Sequence, residues 1–194
     1  MLVYDSEENK RDVLFSHLKA GVGRSGLVYA CSDETPEQIE GELASSGVDV
    51  SHLKRDGMLD VVDAEGVYLA GGVLDPPKVA KSFSDRAFEF RSKGYEGIRA
   101  SAEMTCVFRK RGAERLVEYE EYLHRHFSFP AIGVCGYNLV ALGNSGRLEL
   151  LWPVLRAHAV VIMTGPNGAF ALEPEKVDRS LVKERTGLTV PAAP

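Results

Sequence analysis

Nowhere in its 194 residues does this chain run apolar for the roughly 18 residues that a membrane-crossing helix needs. Its amino terminus carries neither a basic segment nor an apolar signal core. The expectation is a cytoplasmic protein with no membrane partner. Cysteine is scarce: Cys31, Cys106 and Cys135 lie far apart with no C-x-x-C pair, which speaks against a disulfide framework and a thiolate zinc site and for reduced thiols. No metal or cofactor is called for. A surplus of positive charge is missing too. The formal net charge of -5 argues against direct nucleic-acid binding, which needs a concentrated basic surface. The one dense basic cluster, Arg109-Lys110-Arg111, has no aromatic residues interleaved and reads as a solvated turn. Repeats and low-complexity tracts are absent, and the length suits one globular domain over residues 1–190 with a frayed tail at 191–194.

What is present alternates strand with helix, the pattern of a mostly parallel sheet covered on both faces. Six apolar runs predict strands at Leu2 to Tyr4, Leu27 to Cys31, Met58 to Val62, Gly97 to Ala100, Ala131 to Cys135 and Val160 to Thr164. Helices are predicted from Ser6, with Val13, Leu14, His17 and Leu18 on one stripe, and from Thr35 to about Ser46. A short turn follows Ser51. Further helices open after Asp75-Pro76-Pro77, span about Ala113 to His126, and lie around Leu148 to His158.

Two motifs bear on nucleotides. Gly21-Val-Gly23-Arg-Ser-Gly26 satisfies G-x-G-x-x-G, yet it closes a helix and enters a strand, the reverse of a dinucleotide fingerprint. The second strand ends at Asp33-Glu34, followed by Thr35-Pro36 and Gln38 as a capping box. That unit resembles the RecA/KaiC-like ATPases, where an acidic pair at this point activates water. Those enzymes also need a glycine-rich, lysine-bearing loop after the first strand. Here Asp5-Ser6-Glu7-Glu8-Asn9 would repel a triphosphate, so Asp33 and Glu34 read as vestigial.

Ligands of open parallel sheets bind beyond the carboxyl ends of the strands. Tyr4, Asp5, Ser32, Asp33, Glu34, Asp63, Ser101, Glu103, Cys135, Tyr137, Asn138 and Thr164 all fall there, although such loops are polar in every fold of this kind. Glu120 shares the apolar stripe of Leu116, Tyr119, Leu123 and Phe127, so its carboxylate faces inward and implies a partner: Arg99, His124 or a ligand. Arg99, inside an apolar strand, is expected to pair with Glu103 or Glu120 or to hold an anionic ligand group. Cys135 is either a ligand-touching thiol or a small buried hydrophobe. His158 could reach the same crevice and serve Cys135 as a base, while helix C-termini favour histidine on dipole grounds alone. His124 and His126 fit that dipole reading, and His17 reads as a satisfied core histidine.

With the segments placed, the chain resembles a MEDS domain, the methanogen/methylotroph DcmR sensory domain, from Leu2 to about Thr164. The residues that carry the likeness are Leu2-Val-Tyr4-Asp-Ser, Val28-Tyr29 before Asp33-Glu34-Thr-Pro, Tyr68-Leu, Gly94-Tyr-Glu-Gly-Ile-Arg99, Ala102-Glu103-Met104, Tyr119-Glu120, Cys135-Gly-Tyr137-Asn138 and His158-Ala-Val-Val-Ile. The resemblance implies a RecA/KaiC-like three-layer α/β sandwich without the phosphate loop. It also implies a non-catalytic sensor of a small organic ligand, with Arg99, Glu103, Glu120, Cys135, Tyr137 and His158 as site residues beside Tyr4. Such domains are often fused to signalling modules. This chain shows no helix-turn-helix or kinase segment, so output is expected through a protein partner or a homo-oligomer. The chain also departs from the family in having no histidine just before the first strand. Two other readings stay open: a degenerate ATPase relative that keeps nucleotide binding or an oligomeric interface, and a Cys135-based enzyme.

Overall fold

The computed structural model describes residues 1–110, 113–165 and 168–192. Strands β1 (Leu2–Tyr4), β2 (Gly26–Cys31), β3 (Leu59–Asp63), β4 (Ile98–Glu103), β5 (Ala131–Asn138), β6 (Val161–Gly165) and β7 (Gly168–Leu172) form one sheet. Its order is β3-β2-β4-β5-β1-β6-β7. Every neighbouring pair is parallel except β6 with β7. Among the described residues the helices are α1 (Glu7–Lys19), α2 (Pro36–Ser45), α3 (Val50–Arg55), α4 (Ala64–Tyr68), α5 (Pro76–Ser92), α6 (Thr105–Arg109), α7 (Leu116–His126), α8 (Leu139–Asn144), α9 (Leu151–Arg156) and α10 (Arg179–Thr186). The result is the expected three-layer α/β architecture. No helix of the described residues is long and apolar enough to cross a membrane.

Alternation along each strand sorts side chains between the two faces. Leu2, Tyr4, Leu27, Tyr29 and Cys31 pack with Leu14 and Leu18 of α1 and Ile39 and Leu43 of α2. On the other face Val3, Ala30, Ala102, Tyr137 and Met163 pack with Leu116 and Tyr119 of α7 and Trp152 and Leu155 of α9. Caps set the helix starts. Ser6 accepts from the Asn9 amide, and Thr35 with Gln38 forms the reciprocal capping box. Pro76 stands in the first turn of α5 behind Asp75, whose side chain accepts from the Lys78 amide.

Several expectations are corrected. Strands β4 and β5 each run three residues further than the apolar runs suggested. Ser101 and Glu103 continue the ladder opposite Val134 and Gly136, and their polar side chains find partners beneath α1, which makes burial tolerable. Strand β7 and helices α4, α6, α8 and α10 were not anticipated. Asp63 and Asn138, read as crevice residues, are the N-caps of α4 and α8. Of the tail expected to fray at 191–194, residues 193 and 194 lie outside the described residues, as does Arg111 of the basic cluster; the Pro191 carbonyl accepts from the Trp152 indole at 2.9 Å.

The glycine-rich segment closes α1 and enters β2, as its flanks required. Its glycines serve packing: a Cβ at Gly26 would stand 2.3 Å from the Phe90 ring, and one at Gly21 would stand 2.6 Å from the Arg99 side chain.

Candidate functional site

The expected site residues divide between the two faces of the sheet. Tyr4, Glu103 and Glu34 belong to the α1 face, with Lys10 at their centre. The Lys10 ammonium is fully buried and meets Glu34 Oε2 at 2.9 Å, Glu103 Oε1 at 3.0 Å and the Glu7 carboxylate. Glu103 is itself buried. It accepts from the Tyr29 hydroxyl at 2.6 Å and from the Ser32 amide at 3.0 Å. Arg11 adds a second cation between Glu34 and Glu42. Desolvation alone would lower the Lys10 pKa, but the Glu103, Glu7 and Glu34 carboxylates outweigh it and hold the ammonium above its ordinary range. Burial also opposes ionisation of Glu34, yet bonds from Lys10 and Arg11 keep that carboxyl below its ordinary value. Asp33 pairs with Arg109 at 2.6 Å. Both members of the acidic pair are thus engaged by cations.

Lys10 escaped the sequence reading. A lysine three residues after Glu7 reads as a surface pair. The signal was there nonetheless: Lys10 lies one turn before Leu14, on the stripe that continues to His17 and Leu18.

Arg99 joins neither cluster. Its strand position turns it under the end of α1, where its guanidinium lies 3.5 Å from the His17 carbonyl, so the expected pairing with Glu103 or Glu120 does not form. His17 Nε2 contacts the Ile132 carbonyl at 3.2 Å. Burial, and after it the Arg99 charge, pushes the His17 pKa down to about 4. The Tyr4 hydroxyl is buried with no hydrogen-bond partner among the described residues. Burial and then Glu103 push its pKa up.

The opposite face gathers Glu120, Cys135, Tyr137 and His158. Glu120 is 3% exposed, as its place on the α7 stripe predicted. Its partners differ from those expected. Glu120 Oε1 accepts from the Tyr137 hydroxyl, and Oε2 stands 3.4 Å from His158 Nε2. His158 Nδ1 donates to the Val154 carbonyl at 2.8 Å. Ligand atoms of Glu120, Cys135 and His158 all lie within 4.8 Å of one another. Burial raises the Glu120 pKa to about 7, against smaller opposing effects of the Tyr137 bond and the Met1 amine. Burial lowers His158 to about 4, and burial followed by the Glu120 charge raises the Cys135 thiol. Both directions run against an activated cysteine nucleophile, whose thiol pKa is lowered by its surroundings.

Cys135 also borders an apolar cavity of about 40 Å³. Small residues create it: Ala100 and Ala102 on β4 and Ala131 on β5 leave a hollow that Phe83, Tyr119, Leu123 and Phe127 roof. At roughly 10–15 Å³ per water molecule held, it admits about three heavy atoms. The hollow lies on the face of the sheet beneath α5 and α7, whereas the sequence placed ligand binding beyond the strand tips. The tips above α1 are filled by Lys10 and its carboxylates.

Residues 1–158 match the MEDS family, described as MEthanogen/methylotroph, DcmR Sensory domain. No curated protein matches the chain. Among solved structures, an uncharacterized protein from Pyrococcus horikoshii, PH0321, in complex with an unknown peptide, is similar in fold. The two chains share 19% identity with a TM-score of 0.59 over 88% of this chain and 80% of that one.

Proposed function

This chain belongs to the MEDS family of sensory domains, and from that premise we propose that it is a non-catalytic sensor whose ligand is a small organic molecule held in the cavity beneath α7. The observation that carries this reading is the cavity itself, an apolar hollow with one thiol at its edge and the Glu120, Tyr137 and His158 polar groups just beyond. Apolar walls with a few fixed polar atoms are the usual build of a small-molecule site. Its size favours molecules of a few heavy atoms, such as short alcohols, amines, thiols or halogenated hydrocarbons.

Two features support the non-catalytic part. Burial and the Glu120 charge raise the Cys135 thiol pKa, and the strand-Asp33-Glu34-helix unit, which we read as kinship with RecA/KaiC-like ATPases, has Lys10, Arg11 and Arg109 bound to its carboxylates. A nucleotide would have to displace those ion pairs. Output through a protein contact is the companion proposal, and the unknown peptide carried by the Pyrococcus neighbour lends it support.

The test is thermal denaturation of the protein with a panel of these organic classes and with ATP and magnesium, run on the parent and on Ala100→Val, which narrows the cavity. A ligand at tenfold its Kd adds about 1.4 kcal/mol, or roughly 3–5 °C for a chain of this size. One organic class should raise the melting temperature of the parent and much less that of Ala100→Val. A shift with ATP alone, or an organic shift indifferent to Ala100→Val, would overturn the reading.

A further inference from the structure

Glu120, Cys135 and His158 come from three separate elements, α7, β5 and the segment after α9, and meet beneath α7. Each is fixed by something other than its neighbours in the cluster. The His158 ring is oriented by Nδ1, which must donate because the Val154 carbonyl can only accept. Its Nε2 lone pair is thereby aimed at Glu120 Oε2 at 3.4 Å. The carboxylate in turn is anchored at Oε1 by the Tyr137 hydroxyl. Two electron-pair donors therefore face each other in a largely buried place, with a sulfur close to both. An arrangement of that kind calls for an electrophile between the donors, either a proton or a metal ion.

The distances discriminate. Around tetrahedral zinc, with metal–nitrogen and metal–oxygen bonds of about 2.0–2.1 Å, the N···O edge is about 3.3 Å, and with a metal–sulfur bond of about 2.3 Å the S···N edge is about 3.6 Å. The His158–Glu120 separation is already at that edge length, and the thiol, within 4.8 Å of the others, needs to close by about 1.2 Å at most. A histidine oriented through its far nitrogen by a backbone carbonyl, and a carboxylate oriented by a hydroxyl, are also the supports that metal ligands commonly carry. We propose that Glu120, Cys135 and His158 form a three-ligand site for a divalent transition metal of zinc-like preference, with Tyr137 orienting the carboxylate. The ligand set of one sulfur, one nitrogen and one oxygen suits zinc and excludes magnesium and calcium, which take oxygen.

Three protein ligands leave one coordination position. Cys135 belongs both to this cluster and to the cavity wall, so that position adjoins the hollow, and an alcohol, amine or thiol seated there could coordinate the metal. This last step rests on the sensory reading. The metal site does not, and its test contains no organic ligand, so the two can fail separately.

The experiment is a cobalt(II) titration of the metal-free chain, followed by thiolate-to-cobalt charge-transfer absorption, with zinc displacement to confirm the site. One equivalent should produce the band. Cys135→Ser should abolish it, His158→Gln and Glu120→Gln should each weaken cobalt binding at least tenfold, and Tyr137→Phe should weaken it by a smaller factor. A second variant guards against misfolding: Cys31→Ser/Cys106→Ser keeps Cys135 as the sole thiol and should retain the full band. Absence of the band in the parent, its persistence in Cys135→Ser, or its loss in the double variant would overturn the assignment and leave a shared proton as the electrophile.

Discussion

The two faces of this sheet each bury a carboxylate, and they satisfy it in opposite ways. Under α1, Glu103 is met by a buried lysine, a tyrosine hydroxyl and a backbone amide. Under α7, Glu120 is met by a tyrosine hydroxyl and an imidazole, with a thiol nearby and a cavity alongside. The first arrangement is closed, since cation and carboxylates already answer one another. The second leaves its lone pairs aimed inward at a common point. A fully paired network fixes structure, whereas an incompletely paired one beside a hollow is where a ligand gains the most by binding.

If this contrast is right, removing the central group should cost far more on the α1 face. Lys10→Met is expected to destabilise the protein by about 3–5 kcal/mol in denaturant titrations, because Glu103 would remain buried without its cation. A loss below about 1 kcal/mol would break the comparison. Tyr29→Phe removes one charged-acceptor hydrogen bond from the same network and should cost about 1.5–3 kcal/mol. A value near zero would show that the α1 cluster is looser than its distances indicate.

The pH dependence sharpens the same point at the rim of the α1 face. His17 is held neutral in the fold down to about pH 4, while in the unfolded chain it takes a proton near pH 6.5. Above that pH neither state is protonated and His17 contributes no slope. As pH falls from about 6.5 to 4 the unfolded state binds a proton that the folded state refuses, so stability declines. His17→Gln should flatten stability over that window while leaving it nearly unchanged at pH 8; identical slopes would contradict the assignment. The smallest effect belongs to the α7 face. In metal-free protein Glu120→Gln should alter stability by no more than about 1 kcal/mol, since the amide oxygen can still accept from Tyr137 and the nearby Met1 amine keeps its bond to the Val160 carbonyl. A loss as large as that of Lys10→Met would erase the distinction between the faces.

The framework of this fold was legible because doubly covered parallel strands are written as apolar runs, and most of the six parallel strands stood out that way, Asp60 and Arg99 interrupting two of them. Reading stopped short where polar residues extended a strand, as with Ser101 and Glu103 on β4. It failed for β7, a short antiparallel edge of exposed and half-exposed residues, Gly-Ala-Phe-Ala-Leu. The short helices α4 and α8 were missed although Asp63 and Asn138 cap them, because five or six residues hold too little periodicity to register. Glu120 was legible from its stripe, yet its partners were not, since Tyr137 and His158 meet it only through the pairing of β5 beside β4 and β1. Lys10 was hidden by the ordinary look of a lysine near a glutamate on a helix, although its spacing to Leu14 put it on the buried side.

The most direct test of the account is a methyl-resolved NMR titration of the protein with the organic panel, following Ala100, Ala102, Ala131, Leu123 and Val134 around the cavity and Leu14, Leu18 and Leu43 beneath α1 and α2. One chemical class is expected to move the first set saturably and to leave the second in place. Saturable shifts centred on Leu14 and Leu18, or none around the cavity with any class, would show that the cavity is not the ligand site.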